Sequence, residues 1–213
     1  MCITFRFEMK VICMALYTFV VVLKFKQIGS VNAVYGIASC VLAATGGGIL
    51  VPLFINGLPV PLANDCYLII MASNYMLLKY VPALGSVYQE SHTLQFFGIL
   101  GFETMRASVV TGLTLASSAA IPASYFSFPL LGPIICGTLG GCGGAFMPLS
   151  KGLEPLSSLT NPMKAAAAAA VGLHLYVNLV DSSDLNDERG GIAVALFFIC
   201  ISMVAFFNKV KKE

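Results

Sequence analysis

Seven long apolar segments follow one another along this chain, and glycine, proline, asparagine or charged residues separate them. Each segment approaches the roughly 20 mainly apolar residues that a helix needs to cross a bilayer. The separating residues are of the types that end helices and form turns. The pattern therefore predicts an all-α membrane protein with seven transmembrane helices, at residues 7–23, 33–55, 62–81, 94–120, 126–149, 163–180 and 191–207.

The composition supports a place in the bilayer. Hydrophobic residues make up 58% of the 213 residues, charged residues only 10%, and the mean hydropathy is +0.87. Soluble domains carry far more charge. The net charge of +2 comes without a basic stripe, which argues against a nucleic-acid partner. The seven cysteines are odd in number and lie mostly inside apolar segments, so they predict neither a disulfide framework nor a metal site.

Basic residues divide unevenly between the two sides of the predicted membrane protein. If the seven segments alternate in direction, one side receives Arg6, Lys10 and Arg189. The other side receives eight basic residues, which are Lys24, Lys26, Lys79, Lys151, Lys164, Lys209, Lys211 and Lys212. Because basic residues concentrate on the cytoplasmic side, we expect a cytosolic C-terminus and a lumenal N-terminus.

The first segment has one feature of a cleaved signal sequence, since Arg6 and Lys10 come before its apolar run. The run ends in Lys24-Phe25-Lys26 without a small-residue cleavage site. A signal peptide would carry such a site. We therefore interpret the first segment as a helix of the mature protein.

A short motif occurs twice in the chain. Gly-Gly-x-x-x-Pro-Leu begins at Gly47 and again at Gly143, in the second and fifth predicted helices. Matched residues follow each copy at similar distances, with Gly57 and Asn64 after the first and Gly152 and Asn161 after the second. Three spans separate the copies, so they would cross the membrane in opposite directions. We predict one domain over residues 1–213, with inverted repeats at about 7–82 and 94–180 and a seventh helix at about 191–207. Transport paths in such proteins commonly lie between the repeats near the bilayer midplane.

Glycines cluster inside both equivalent helices, as Gly46-Gly47-Gly48 and as Gly140-Gly141-Cys142-Gly143-Gly144. Such clusters loosen a helix, and a bend there can expose carbonyl oxygens. The alternative is close helix packing, because several of these glycines have the small-xxx-small spacing. Their duplication, each time four residues before a proline, favours a kink beside a path, and both interpretations can hold together. The kink is assigned to Gly46, Gly47, Gly48, Gly141, Gly143 and Gly144.

Glu103 and Arg106 are the most distinctive ionisable residues. They lie three residues apart, on one face of the predicted fourth helix. A lone arginine at the centre of a span costs about 2.5 to 3.5 kcal/mol on insertion scales, so Arg106 should face a bundle interior, a wet cavity or an anionic group. An internal Glu-Arg pair that only joins helices is the alternative. Intramembrane charges usually mark a pathway or a voltage- or lipid-responsive element, which favours a functional role.

The remaining polar residues predict no chemistry of their own. His92 and His174 lack partners at metal-ligand spacing. Ser73, Asn74, Ser117 and Ser118 either line a wet path or hydrogen-bond between helices, and the sequence leaves both open. Without a catalytic motif among the few carboxylates, we expect no enzymatic activity, metal or cofactor.

Three stretches together resemble one known family of membrane proteins. Gly46-Gly47-Gly48-Ile49-Leu50, with the later Leu62-Ala63-Asn64, Ala72-Ser73 and Pro82, is similar to that family's second and third helices. Phe102-Glu103-Thr104-Met105-Arg106 resembles its Lys-Glu-x-x-Arg signature in helix four, and Gly141-Cys142-Gly143-Gly144 its Gly-x-Gly-Gly in helix five. The family is that of the trimeric intracellular cation (TRIC) channels of endoplasmic and sarcoplasmic reticulum, and the likeness covers about residues 7–207.

The resemblance implies a homotrimer of an intracellular membrane with a potassium-permeable pore in each subunit. Such channels supply counter-ion current during calcium release and uptake by the store. In the family, the helix-four Lys and Arg bind a phosphoinositide lipid or respond to voltage, a role that would pass to Arg106 with Glu103 beside it. This chain departs from the family at Phe102, which replaces the Lys, and at Val109, which replaces a second basic residue. These departures bear on phosphoinositide binding more than on potassium conduction.

Two other classes of function fit the same pattern. Inverted repeats with broken helices also occur in secondary transporters, and faces of small residues can assemble a non-conducting membrane scaffold. Discrete single-channel steps would indicate a channel and saturable flux a carrier. A protein that admits no potassium at any voltage would indicate a scaffold.

Overall fold

The computed structural model describes residues 7–25, 28–147, 154–180 and 184–211, and this described part is helical without strands. The α-helices are α1 Phe7–Leu23, α2 Ala33–Phe54, α3 Val60–Ala63, α4 Asp65–Tyr80, α5 Ala83–Glu90, α6 His92–Ala120, α7 Leu131–Cys142, α8 Asn161–Leu179 and α9 Asp184–Val210. Gly143–Phe146 continues α7 as a 3₁₀ helix, and Glu154–Leu156 is a second 3₁₀ turn.

All seven predicted segments contain a helix, but two of them are interrupted. The third segment is α3 followed by α4, because Asn64 leaves the helical conformation and its side-chain oxygen accepts a hydrogen bond of 3.3 Å from the Tyr67 N–H. The fifth begins at Leu131 rather than at residue 126, and its α-helix gives way to a 3₁₀ helix at Gly143. The short helix α5 is an element that the apolar pattern missed.

Length and apolar composition single out fewer membrane-crossing helices than seven. In the described ranges, Ala33–Phe54 and Glu188–Val210 meet both requirements alone, and α4 with α5 would be a third candidate span, bent by 96°. The count of seven spans therefore stays a prediction. Some residues that the sequence analysis used lie outside the described ranges. They are Arg6, Lys26, Pro148, Leu149, Lys151, Gly152, Leu153, Asp181 and Lys212.

The long helix α6 is the centre of the bundle. It packs against α1, α7, α8 and α9, while α2 packs against α7 and α4. One apolar core lies between α1, α2 and α4, around Met71 and Tyr75, and a second lies between α6, α8 and α9, around Val110 and Phe198. Alanines 165–170 let α8 approach its neighbours closely. On α9, by contrast, large apolar side chains such as Leu196 and Val204 are exposed, as expected of a surface that faces lipid or another subunit.

Helices that correspond in the two predicted repeats occupy related places. The first helices of the two repeats, α1 and α6, pack on each other, and so do the second helices, α2 and α7. The matched asparagines Asn64 and Asn161 both stand at the start of the third helix, the first as the cap of α4 and the second as the first residue of α8. The duplication and its inversion stay predictions.

Candidate functional site

The two glycine clusters lie directly against each other. A Cβ atom added to Gly47 would overlap the backbone of Leu139 and Gly140, and one added to Gly143 would overlap the backbone of Gly47. Backbone atoms cannot move aside as the end of a flexible side chain can. Glycine is therefore required for α2 and the end of α7 to come this close, in agreement with the close-packing interpretation.

The backbone differs between the two clusters. α2 continues as an α-helix through Gly46, Gly47 and Gly48. α7 ends at Cys142, and the chain tightens into the 3₁₀ helix at Gly143. The α-helix is thus interrupted in the second copy and continuous in the first, and the kink beside a path that we expect at both clusters stays a prediction.

Arg106 lies next to this contact and is buried, with 9% of its surface exposed. Its Nε–H donates to the carbonyl oxygen of Gly141 at 3.0 Å, its Nη2 donates to the carbonyl oxygen of Pro162, and its Nη1 lies 3.2 Å from Glu103 Oε2. The guanidinium also stacks over the Phe198 ring, 4.4 Å from the ring centre. One side chain of α6 thereby contacts the end of α7, the start of α8 and the middle of α9.

Glu103 completes a charge network inside the bundle. It is 6% exposed, and its second oxygen, Oε1, accepts a hydrogen bond of 2.7 Å from the Ser202 hydroxyl of α9. A buried charge is tolerated when it is paired and hydrogen-bonded, and both carboxylate oxygens have a donor here. Ser202 is a member of the site that the sequence analysis missed, because only the fold brings α9 beside α6.

Phe102 and Lys24 form the neighbouring part of the site. The Phe102 ring stacks on Tyr17 with ring centres 5.0 Å apart, and Lys24 Nζ lies 4.7 Å from the centre of the Phe102 ring. Burial lowers the pKa of the Lys24 ammonium, while the charge of Glu103 acts in the opposite direction. The cation of the residue that follows α1 is therefore held over the ring of Phe102 on α6. Sequence reasoning used Lys24 only for orientation, and no local signal pairs it with Phe102.

Two cavities meet at this point. The larger, of about 590 Å³, runs beside the glycine contact, and Lys24, Phe102, Glu103, Arg106 and Val109 are among its lining residues. The glycines Gly48, Gly141, Gly143 and Gly144 also line it. The smaller, of about 510 Å³, lies between α1, α5, α6 and α9 and shares Lys24, Phe102 and Glu103 with the first.

Other polar residues singled out in the sequence have structural partners outside this site. Asn74 donates to the Thr18 hydroxyl at 2.7 Å and so joins α4 to α1. Ser117 donates to backbone oxygens of its own helix. His174 Nε2 lies 2.7 Å from the Pro129 carbonyl oxygen. Within the described ranges, no three His, Cys, Asp or Glu side chains are grouped so as to hold a metal ion.

Taken with the apolar helices, the fold defines an integral membrane protein of the all-helical class. No protein-family model matches the sequence, and no curated protein matches it. Solved structures do match the fold. A TRIC counter-ion channel studied for its activity in calcium release has 17% identity and a TM-score of 0.74, over 93% of this chain and 92% of that one.

Two further solved structures extend the similarity. The trimeric intracellular cation channel of C. elegans with bound Ca²⁺ has 17% identity and a TM-score of 0.71, over 96% of this chain and 92% of that one. A prokaryotic TRIC channel has 14% identity and a TM-score of 0.59, over 93% and 96%. The chain has the fold of the trimeric intracellular cation channels over nearly its whole length.

Proposed function

We propose that the chain is one subunit of a homotrimeric, potassium-permeable cation channel of an intracellular membrane, with a pore in every subunit. It would give counter-ion current during calcium release and uptake by the store. The observation that carries this proposal is the 590 Å³ cavity, which lies beside the contact of the two glycine clusters and next to the buried Arg106 network. In a channel fold, an ion path is expected in a cavity of this kind between the two predicted repeats.

The wall of the cavity carries hydroxyl and carbonyl oxygens beside the cationic side chains of Lys24 and Arg106. Its lining includes the hydroxyl-bearing residues Tyr17, Thr45 and Tyr67 and the glycine-rich backbone around Gly141. Hydroxyl and carbonyl oxygens can replace part of the hydration shell of an ion without holding it tightly, as conduction requires. The carboxylate in the lining, Glu103, is already paired with Arg106. We therefore propose modest selectivity among monovalent cations.

Arg106 is the proposed gate. In the described conformation its guanidinium holds the carbonyl oxygens of Gly141 and Pro162, which fixes the broken end of α7 to the start of α8. Movement of this charge would release both carbonyls beside the cavity. Since Nε, Nη1 and Nη2 all have partners and Phe102 carries no charge, a phosphoinositide head group would have to compete with the protein for Arg106. We propose gating by voltage through Arg106, with direct phosphoinositide binding as the weaker alternative.

The proposed topology has seven spans, two inverted three-helix repeats and a lumenal N-terminus with a cytosolic C-terminus. The packing of α1 on α6 and of α2 on α7 supports the repeats, and the uneven distribution of lysines supports the orientation. Cysteine labelling from either side of sealed microsomes, at one position after α2 and one after α8, tests both. An inverted repeat places each of these positions on the lumenal side.

Potassium flux into liposomes that contain the purified protein tests the function. We expect a voltage-dependent potassium influx, discrete current steps in a planar bilayer and a crosslinked trimer. Saturable flux without steps would support a secondary transporter instead, and the absence of potassium entry at every voltage would reject conduction.

Replacement of Arg106 by alanine tests the gate. The variant Arg106→Ala removes the donors to Gly141 and Pro162, so we expect a changed voltage dependence or open probability in planar bilayers. Arg106→Lys keeps the charge but lacks the planar set of donors, and it should shift gating in the same direction while perturbing folding less.

The matched control is Arg189→Ala, which removes an exposed arginine from the start of α9. Its gating curve should equal that of the wild type. If all three variants gate like the wild type, Arg106 has no part in gating.

A further inference from the structure

The charged pair of Glu103 and Arg106 is closed on one side by α9, the helix that lies outside the two predicted repeats. The guanidinium donates to partners on α6, α7 and α8, which all belong to the second predicted repeat. From α9 come the Phe198 ring, whose centre is 4.4 Å from the guanidinium carbon, and the Ser202 hydroxyl, which donates to Glu103 at 2.7 Å. The last helix thus contacts both charges of the pair.

The two contacts come from one face of α9 and differ in kind. Phe198 and Ser202 are four residues apart, which places them on the same side of a helix. The ring attracts a cation through its π-electrons, and more strongly where water is excluded. Phe198 is 1% exposed and Arg106 9%, so this pair is nearly dry. Ser202 donates to Glu103 Oε1, the oxygen that Arg106 does not bind. α9 therefore stabilises the arginine through the ring and the carboxylate through the hydroxyl.

The surroundings of the two contacts differ as well. Phe198 belongs to the apolar core around Val110, which fixes the position of the ring. Ser202 is only partly buried, and together with Glu103 it lines the smaller cavity. Side chains in a close-packed interior cannot move without displacing their neighbours, whereas side chains beside a cavity can. The hydrogen bond is thus the contact that can open, and the ring is the fixed one.

We propose that Phe198 and Ser202 are positioning residues of the Arg106 gate, and that α9 sets through them how often the gate leaves its described position. The inference rests on the proposed gating by Arg106. Neither residue has to touch the permeating ion, because each acts by stabilising one of two positions of the charged pair. Loss of either contact lowers the population of the described position, so the ratio of open to closed time changes at a given voltage.

Planar-bilayer recordings at a fixed voltage test the ring. Phe198→Leu keeps an apolar side chain in the core but removes the aromatic face. We expect the ratio of open to closed time to change by about five- to thirty-fold, in the direction that Arg106→Lys gives. Val194→Ala is the matched control, because it removes packing from the same core, one turn earlier on α9, and leaves the ring in place. It should gate like the wild type.

The same change in a protein without the arginine separates positioning from packing. In Arg106→Ala the ring has no guanidinium beside it, so adding Phe198→Leu should change the ratio by less than about two-fold. A ring that only supports the bundle would give the same change in both backgrounds, because the effects of independent sites add.

The hydroxyl is tested by a pair of variants, which also decides the inference if Phe198→Leu does not fold. Ser202→Ala removes the donor to Glu103, and we expect the ratio of open to closed time to change by about three- to ten-fold. Ser202→Thr keeps a hydroxyl and should stay closer to the wild type than Ser202→Ala. Gel filtration of each full-length variant confirms its folding before the recordings.

Several results would overturn the inference. These are wild-type gating in both Phe198→Leu and Ser202→Ala, an equal change in Val194→Ala, and an undiminished effect of Phe198→Leu in the Arg106→Ala background. Each of them leaves the proposed function standing, provided that the wild type conducts potassium and Arg106→Lys alters its gating. A wild type without potassium current rejects the proposed function, and the inference falls with it.

Discussion

The two copies of the Gly-Gly motif have the same sequence pattern but different backbones. α2 remains an α-helix through Gly46–Gly48, whereas α7 ends at Cys142 and continues as a 3₁₀ helix. Each copy nevertheless packs its glycines on the backbone of the other. The glycines are thus explained first by close approach, which both copies share, and the helix break is a feature of one copy alone.

The surroundings of the two copies differ in a way that matches this asymmetry. Arg106 donates to the carbonyl oxygen of Gly141, in the last turn of α7. An α-helix leaves the carbonyls of its last turn without intrahelical partners, so a buried helix end benefits from a donor of this kind. In the continuous α2, the residue that corresponds to Gly141 is Thr45, which lies inside the helix rather than in its last turn. The broken copy is therefore the one whose carbonyls depend on Arg106, which makes it the better candidate for a moving part.

The largest effect on stability is expected at the contact itself. A Cβ on Gly143 would meet the backbone of Gly47. We therefore expect Gly143→Ala to lower the free energy of unfolding by about 3 kcal/mol or more. Gly112→Ala is the matched control in α6, because nothing lies within 4 Å of its added Cβ. Thermal unfolding in detergent measures both. Equal melting temperatures for the two variants would show that the clusters do not touch.

A smaller effect is expected where the charge network joins α9. Ser202→Ala removes the donor to Glu103 Oε1, and we expect a loss of about 1.5 kcal/mol for a hydrogen bond to a charged group. Ser117→Ala is the control, because its hydroxyl binds carbonyls within its own helix. If chemical unfolding ranks Ser117→Ala as the more damaging change, Ser202 does not support the Glu103 carboxylate.

The smallest effect is expected at the edge of the first cluster. A Cβ on Gly48 would lie 2.9 Å from a methyl group of Val60 and 3.0 Å from its Cβ, so Val60 in the four-residue helix α3 would have to shift by a few tenths of an ångström. Gly48→Ala should therefore cost less than about 1 kcal/mol. Its melting temperature should fall between those of Gly112→Ala and Gly143→Ala, and a loss as large as that of Gly143→Ala would place Gly48 inside the backbone contact.

Much of the fold could be predicted from the apolar pattern, because long apolar helices carry a strong local signal. The predicted bounds of α1 match the observed Phe7–Leu23, and those of α2 end one residue beyond Phe54. Errors arose where polar residues interrupt a helix without ending its apolar run, as at Asn64. The amphipathic α5 was missed because it is short and lacks a continuous apolar run.

The site could be predicted only in part. Glu103 and Arg106 were found because charges are rare in apolar segments, and their pairing follows from a spacing of three on one helix. The partners of Arg106 on α7 and α8, the Ser202 hydroxyl and the position of Lys24 over Phe102 all depend on contacts between distant helices. Such contacts leave no pattern in a single sequence.

The central claim is that ions pass through the cavity beside the glycine contact. Its most direct test is a cysteine introduced into the wall of that cavity. Val109 lines the cavity, whereas its neighbour Ser108 is exposed and lines neither cavity. Cys40 and Cys142 also line the cavity, so both are first replaced by serine. A thiol-reactive cation is then applied to Val109→Cys and to Ser108→Cys in this background, and to the background protein alone. The account predicts a larger loss of potassium current in Val109→Cys than in the other two. Equal loss in all three, with labelling of Val109→Cys confirmed by mass, would contradict it.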